Sequence, residues 1–143
     1  MDLLDLQRNV RKINVNKMMN RAVLENKEEI LDLNTAQLSK GKNKFGEFLQ
    51  EYALDAYAKY KKAIGSEAPL GIPNLYLEGN FYEGFFLSED GENWNIFSSD
   101  DKADELANKY GIDIFGLSEE SLAEIRPAIL ESIQNQIRYE LLR

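Results

Sequence analysis

Leu3, Leu6, Val10 and Ile13 recur at spacings of three, four and three, which writes one narrow apolar seam along a helix. The stripe changes phase at Asn14-Val15-Asn16, and a second set, Val15, Met18/Met19, Ala22/Val23 and Ile30, carries it on to about Leu33. The pattern predicts one long, kinked N-terminal helix over residues 1–33, or two helices meeting near Asn14. Asn34 to Gly46 is polar and glycine-containing, a loop by composition. From Glu47 to Ile64, Phe48, Leu49, Tyr52, Ala53, Ala56, Tyr60 and Ala63/Ile64 return at helical spacing, and Gly65 supplies the stop. Its Tyr52, Tyr57 and Tyr60 read as packing or partner-facing aromatics.

A Pro/Gly connector over 66–74 leads into a strand pattern. Leu75, Leu77, Phe81, Phe85 and Leu87 occupy alternate positions of one face, interrupted by Gly79 and Glu83. Asp90-Gly91 has the composition of a two-residue hairpin turn. With that turn, Glu89 faces Glu92, Leu87 faces Trp94 and Phe85 faces Ile96, so one side of the hairpin gathers the large apolar residues. Tyr76, Tyr82, Phe86 and Phe97 fall on the opposite side, too many aromatics for a face left to water. Ser98 and Asp101 are spaced as a capping box for a short helix ending at Gly111. Ile112 to Leu117 reads as extended, Ser118 as the cap of another turn, and Pro127 as the first residue of a last helix to about Leu142. The expected fold is α+β: a long N-terminal helix, a second helix, an antiparallel sheet built on a β-hairpin, a short helix and a C-terminal helix.

Composition narrows the chemistry. The chain of 143 residues contains no Cys and no His, which removes thiol nucleophiles, zinc ribbons and histidine general bases. No apolar run reaches the ~18 residues of a membrane span, and the acidic start, Asp2 and Asp5, is unlike a signal peptide. The expectation is a soluble, unexported, non-enzymatic domain. The net charge of −8 is unevenly spread. Residues 1–62 hold 12 basic and 9 acidic side chains, residues 63–143 hold 5 and 16. Such polarity suits head-to-tail packing of copies or a place between two unlike surfaces, although a solvated amphipathic helix and an acidic surface is the favoured reading of charge alone. On one straight helix, Arg8, Arg11 and Lys12 would share a face while Lys17 and Arg21 point nearly opposite, which breaks the continuous positive stripe that nucleic acid wants. The acids at Glu89, Asp90 and Glu92, and at Asp100, Asp101, Asp104 and Glu105, are accounted for by turn and cap chemistry, so no metal is expected.

The series Pro73-Asn74-Leu75-Tyr76-Leu77-Glu78-Gly79-Asn80-Phe81 resembles the strand opening of tailed-phage virion-morphogenesis and tail-completion proteins. The similarity continues through Trp94 to Ser99, Tyr110-Gly111 and Ile114-Phe115-Gly116-Leu117-Ser118 into the final helix, and covers about residues 50–143. Glu78 stands where Thr or Ser is usual in that family. The resemblance implies a single connector-like domain over 1–143, with a helical arm at 1–33 and an α+β core at 47–143. It further implies a ring-forming head–tail connector, neck or tail-completion subunit of the virion, made in the host cytoplasm, with no catalytic residue, cofactor or membrane contact. Its partners would be further copies of itself and neighbouring portal, neck or tail proteins, with DNA only as passing cargo. The candidate interface residues are the seam Leu3, Leu6, Val10 and Ile13 and the aromatic set Tyr76, Tyr82, Phe86 and Phe97, each of which reads equally as intramolecular core. A monomeric acidic adaptor or DNA mimic is the alternative, and a carboxylate enzyme using a divalent cation is a third.

Overall fold

A computed structural model describes residues 1–76, 79–91 and 93–143. Along the chain run α1 (Leu3–Arg11), α2 (Val15–Glu25), α3 (Lys27–Ser39), α4 (Asp55–Ala63), α5 (Asn80–Glu83), β1 (Phe85–Asp90), β2 (Asn93–Ser98), α6 (Ala103–Tyr110), a 3-10 turn (Ile112–Ile114) and α7 (Glu119–Leu142). The fold is α+β, with one antiparallel hairpin among the described residues. The chain divides into two compact units, Met1–Lys27 with Ala123–Arg143, and Glu28–Leu122.

In the first unit, α1 opens with a reciprocal cap: Asp2 accepts from the Asp5 N–H at 2.8 Å, and Asp5 accepts from the Asp2 N–H at 3.3 Å. The phase change at Asn14 is a true break, because Asn14 is extended and its side chain accepts from the Lys17 N–H at 3.1 Å to start α2. A second break follows at Asn26, whose side-chain amide donates to the Ala22 carbonyl at 2.8 Å. Two helices therefore meet near Asn14, the second of the two expected alternatives, and the break at Asn26 adds a third. Asn9, 5 % exposed, donates to the carbonyls of Leu141 and Arg143, both at 3.2 Å. It thereby serves carbonyl groups that the end of α7 leaves without helical donors.

Helix α7 does not restart at Pro127 but runs through it. Proline has no N–H to give the Ala123 carbonyl, yet Ala123 and Pro127 are both exposed, so water can take that acceptor. The helix continues because Ser132 and Gln136 are bonded further along it. The Ser132 hydroxyl donates to Glu25 at 2.5 Å, and the Gln136 amide donates to the Met18 carbonyl at 2.9 Å.

In the second unit, α3 extends to Ser39 through the stretch expected as loop from Asn34. Its polar residues face irregular backbone. Asn34 donates to the Ile114 carbonyl at 3.0 Å and accepts from the Gly116 N–H at 2.9 Å. Gln37 repeats the pattern, donating to the Gly116 carbonyl at 2.9 Å and accepting from the Ser118 N–H at 2.7 Å. The second helix is also shorter than expected, because residues 47–54 are not helical. Lys42 pairs with Phe48 in an isolated antiparallel bridge, the Leu49 N–H donates to the Gly41 carbonyl at 2.9 Å, and the Asn43 side chain accepts from Phe45 and Glu47. Those bonds hold Leu49, 4 % exposed, in the core without a helix. Helix α4 ends at Ala63, just before Gly65, as expected.

The hairpin pairs Phe85 with Ser98, Phe86 with Phe97, Leu87 with Ile96, Ser88 with Asn95, Glu89 with Trp94 and Asp90 with Asn93. The last pair is thus Asp90 with Asn93, so the turn comes one residue later than expected, with Gly91 at φ +63°. Moving both centres by one shifts each partner by two, so the division into faces survives. Phe85, Leu87, Trp94 and Ile96 share one side and Phe86 and Phe97 the other. The strand pattern upstream does not become strand: Phe81 and Tyr82 lie on α5, and Tyr76 lies in irregular chain. Leu77 and Glu78, and Glu92 expected opposite Glu89, lie outside the described residues. The core here is aromatic, with Phe81, Phe85 and Phe115 within 5.0–5.9 Å of one another, ring centre to ring centre.

The Ser98–Asp101 capping box is not formed, and α6 begins only at Ala103. The Ser98 hydroxyl is committed to the Phe81 carbonyl at 2.8 Å, and accepts from the Asp100 N–H at 3.2 Å. Residues 112–114 form a 3-10 turn instead of an extended piece, which tucks Ile114 fully inside. Ser118 caps α7 as expected, accepting from the Ser121 N–H at 3.2 Å.

Candidate functional site: exposed apolar faces and an aromatic cavity

Within the first unit, the seam of α1 lies open. Leu3 is 82 % exposed, Val10 51 % and Leu6 37 %, while Ile13 is half-buried. The buried residue of α1 is Asn9, so this helix is anchored by a polar contact and shows its apolar stripe to solvent. The helix break at Asn14 also changes the charge geometry. Lys12, Lys17 and Arg21, which a straight helix would separate, line one open groove of about 870 Å³ with Glu25, Gln136 and Glu140. Arg21 pairs with Glu25 at 3.1 Å. The Ser132 hydroxyl, and then Arg21, hold the Glu25 carboxyl below the usual range against the opposing effect of burial.

The aromatic set separates into two pairs. Phe86 and Phe97 are cross-strand partners with ring centres 6.2 Å apart. Phe86 is exposed, whereas Phe97 also reaches Phe115 at 5.8 Å. Tyr76 and Tyr82 are 5.7 Å apart and off the sheet. The Tyr82 hydroxyl donates to the Asn74 carbonyl and its ring contacts Phe81 and Phe85, so burial pushes its pKa up. Tyr76 is exposed.

The second unit also contains a cavity of about 330 Å³, walled by Tyr52, Tyr57, Tyr76, Phe81, Leu106 and Tyr110 and reached by Lys61. Tyr52 and Tyr57 meet edge to face at 5.0 Å, and Tyr60, 57 % exposed, stands outside, 6.1 Å from Tyr57. Tyr57 and Lys61 are one helical turn apart on α4, which aims both at one space. That spacing was the available signal for Lys61, and the alkyl stem of a lysine carries no hydropathy signature to draw attention to it.

Burial, reinforced by Tyr57 and Tyr110, raises the Tyr52 hydroxyl to about 12. Between pH 10 and that value the unfolded chain loses this proton while the folded one keeps it, so stability falls as pH rises. A two-unit shift corresponds to at most ~2.7 kcal/mol, and partial solvent access reduces it to roughly 1–2. Tyr52→Phe is expected to flatten that alkaline slope in urea titrations at stepped pH. An unchanged slope would place the Tyr52 hydroxyl in water.

Among the described residues no group of three or more acids is arranged to hold a metal ion, and no helix is long and apolar enough to cross a membrane. No protein-family model, curated protein or solved structure matches the chain.

Proposed function

We propose that this chain is a structural virion subunit of a tailed bacteriophage or prophage, a ring-forming head–tail connector, neck or tail-completion protein that works by self-assembly and docking. The observation that carries the reading is the amphipathic α1, whose Leu3, Leu6 and Val10 are open to solvent. A seam of that width buries well against another helix, and each side chain covered contributes about 1.5–3 kcal/mol. The exposed Phe86 beside its cross-strand Phe97 offers a second contact, and the basic first half and acidic second half suit copies packed head to tail. The sequence resemblance over residues 50–143 supplies the virion setting, with portal, neck or tail proteins as neighbours and DNA as passing cargo.

Native mass across a concentration series tests it. The wild type is expected to form one discrete closed oligomer. Leu6→Glu combined with Val10→Glu should shift it to monomer, weakening self-association by about 100-fold or more, equivalent to ~2.7 kcal/mol, with circular dichroism unchanged. A wild type that stays monomeric throughout, and binds a basic partner with an affinity falling steeply in salt, would replace the connector by the acidic adaptor.

A further inference from the structure

The tyrosine-walled cavity holds a buried charge. Lys61 is 5 % exposed and its ammonium donates to the Tyr76 carbonyl. An ammonium has three protons to donate, and no acid pairs with Lys61 among the described residues. A buried cation without a counter-charge is unfavourable, and burial accordingly lowers the Lys61 pKa. Lys102 and Lys109 line the cavity together with Asp100 and Glu105, which leaves Lys61 as the buried cation with no acid partner among the described residues.

We propose that this cavity binds a small aryl carboxylate, with its ring against Tyr52, Tyr57 and Phe81 and its carboxylate on the Lys61 ammonium. The volume of about 330 Å³ is at the small end of ligand pockets, enough for one ring with a short acid chain. Aromatic walls favour an aromatic guest through edge and offset contacts. The one buried ammonium, Lys61, matches a single negative charge, since Lys102 and Lys109 are exposed, and no arginine lines the cavity to fork onto a phosphate. No residue of the α1 seam lines this cavity.

The probe is 3-(4-hydroxyphenyl)propanoate, compared by calorimetry with its neutral amide on the full chain. The acid is expected to bind at least about 10-fold more tightly than the amide. Lys61→Met, which keeps the stem and removes the charge, should bring the two to equal affinity, and Tyr57→Ala should weaken both. Equal binding of acid and amide to the wild type, a preference surviving Lys61→Met, or no saturable binding of the acid would each overturn the proposal. Should Lys61→Met not fold, Tyr57→Ala decides: the Tyr57 side chain is part of the wall yet exposed, so its loss leaves the core intact, and unchanged binding there would place the probe elsewhere.

Discussion

Asn34→Ala is expected to lower the unfolding free energy by about 3–4 kcal/mol, a large part of the ~5–15 kcal/mol that holds an ordinary domain together. Asn34 is fully buried, and its amide serves two backbone groups, the Ile114 carbonyl and the Gly116 N–H. Alanine removes both partners at once. Each stranded buried group costs roughly 1–3 kcal/mol, and the volume left by the amide adds a smaller cavity penalty. Leucine would fill that volume without restoring either bond, so Asn34→Leu should fall near the alanine value. The damage also spreads. Phe115 follows directly on Ile114 and packs on Phe81, Phe85 and Phe97, so near-ultraviolet circular dichroism should weaken along with the urea midpoint. A loss under ~1 kcal/mol would mean that water replaces the amide at 114–116.

Asn34 also shows where the reading of residues reaches its limit. Rules confined to a few neighbouring residues carry through: the seam of α1, the break at Asn14, the stops before Gly65 and at Gly111, the Ser118 cap and the face division of the hairpin. Each depends on one turn or one pairing, and the local residues contain all of it. What fails depends on partners distant in sequence. Asn34 and Gln37 look like loop residues because the backbone they satisfy lies some eighty positions away. The apolar run from Phe48 has a helical period, yet the bonds from Gly41 and Asn43 claim its backbone first. Ser98 has the spacing of a cap, but its hydroxyl is spent on Phe81. Pro127 is tolerated inside α7 because the carbonyl it strands belongs to exposed Ala123, where water can take it. The cavity was half legible. Tyr52 and Tyr57 stand out as aromatics, whereas the alternation places Tyr76 on a sheet face and Lys61 has no mark beyond its place one turn after Tyr57.

Gly41→Ala is expected to be comparably damaging, at about 2–5 kcal/mol, and to disturb the cavity as well. Two costs combine. Gly41 has φ +79°, where an L side chain costs roughly 1–2 kcal/mol. A Cβ there would also sit 2.3 Å from the Ile72 methyl, 3.1 Å from the Ala68 Cβ and 3.2 Å from the Pro73 carbonyl oxygen. Ala68 and Pro73 are themselves buried, so the new methyl group has no free direction, and overpacking of this kind adds about 1–3 kcal/mol. The neighbours that must yield belong to the chain running from Ala68 through Pro73 to Tyr76, and Pro73, Leu75 and Tyr76 line the aromatic cavity. Relief of the clash therefore moves the wall on which Lys61 is bonded. Gly46→Ala separates the two costs: Gly46 has φ +76° but nothing within 4 Å of the added Cβ. It should lose only the backbone part, ~1–2 kcal/mol, and keep the cavity intact. Urea unfolding of the two variants side by side makes the comparison. Equal losses would show that the contact of Gly41 with Ile72 and Ala68 relaxes freely, and a larger loss at Gly41 would identify that close approach as the reason residue 41 must be glycine.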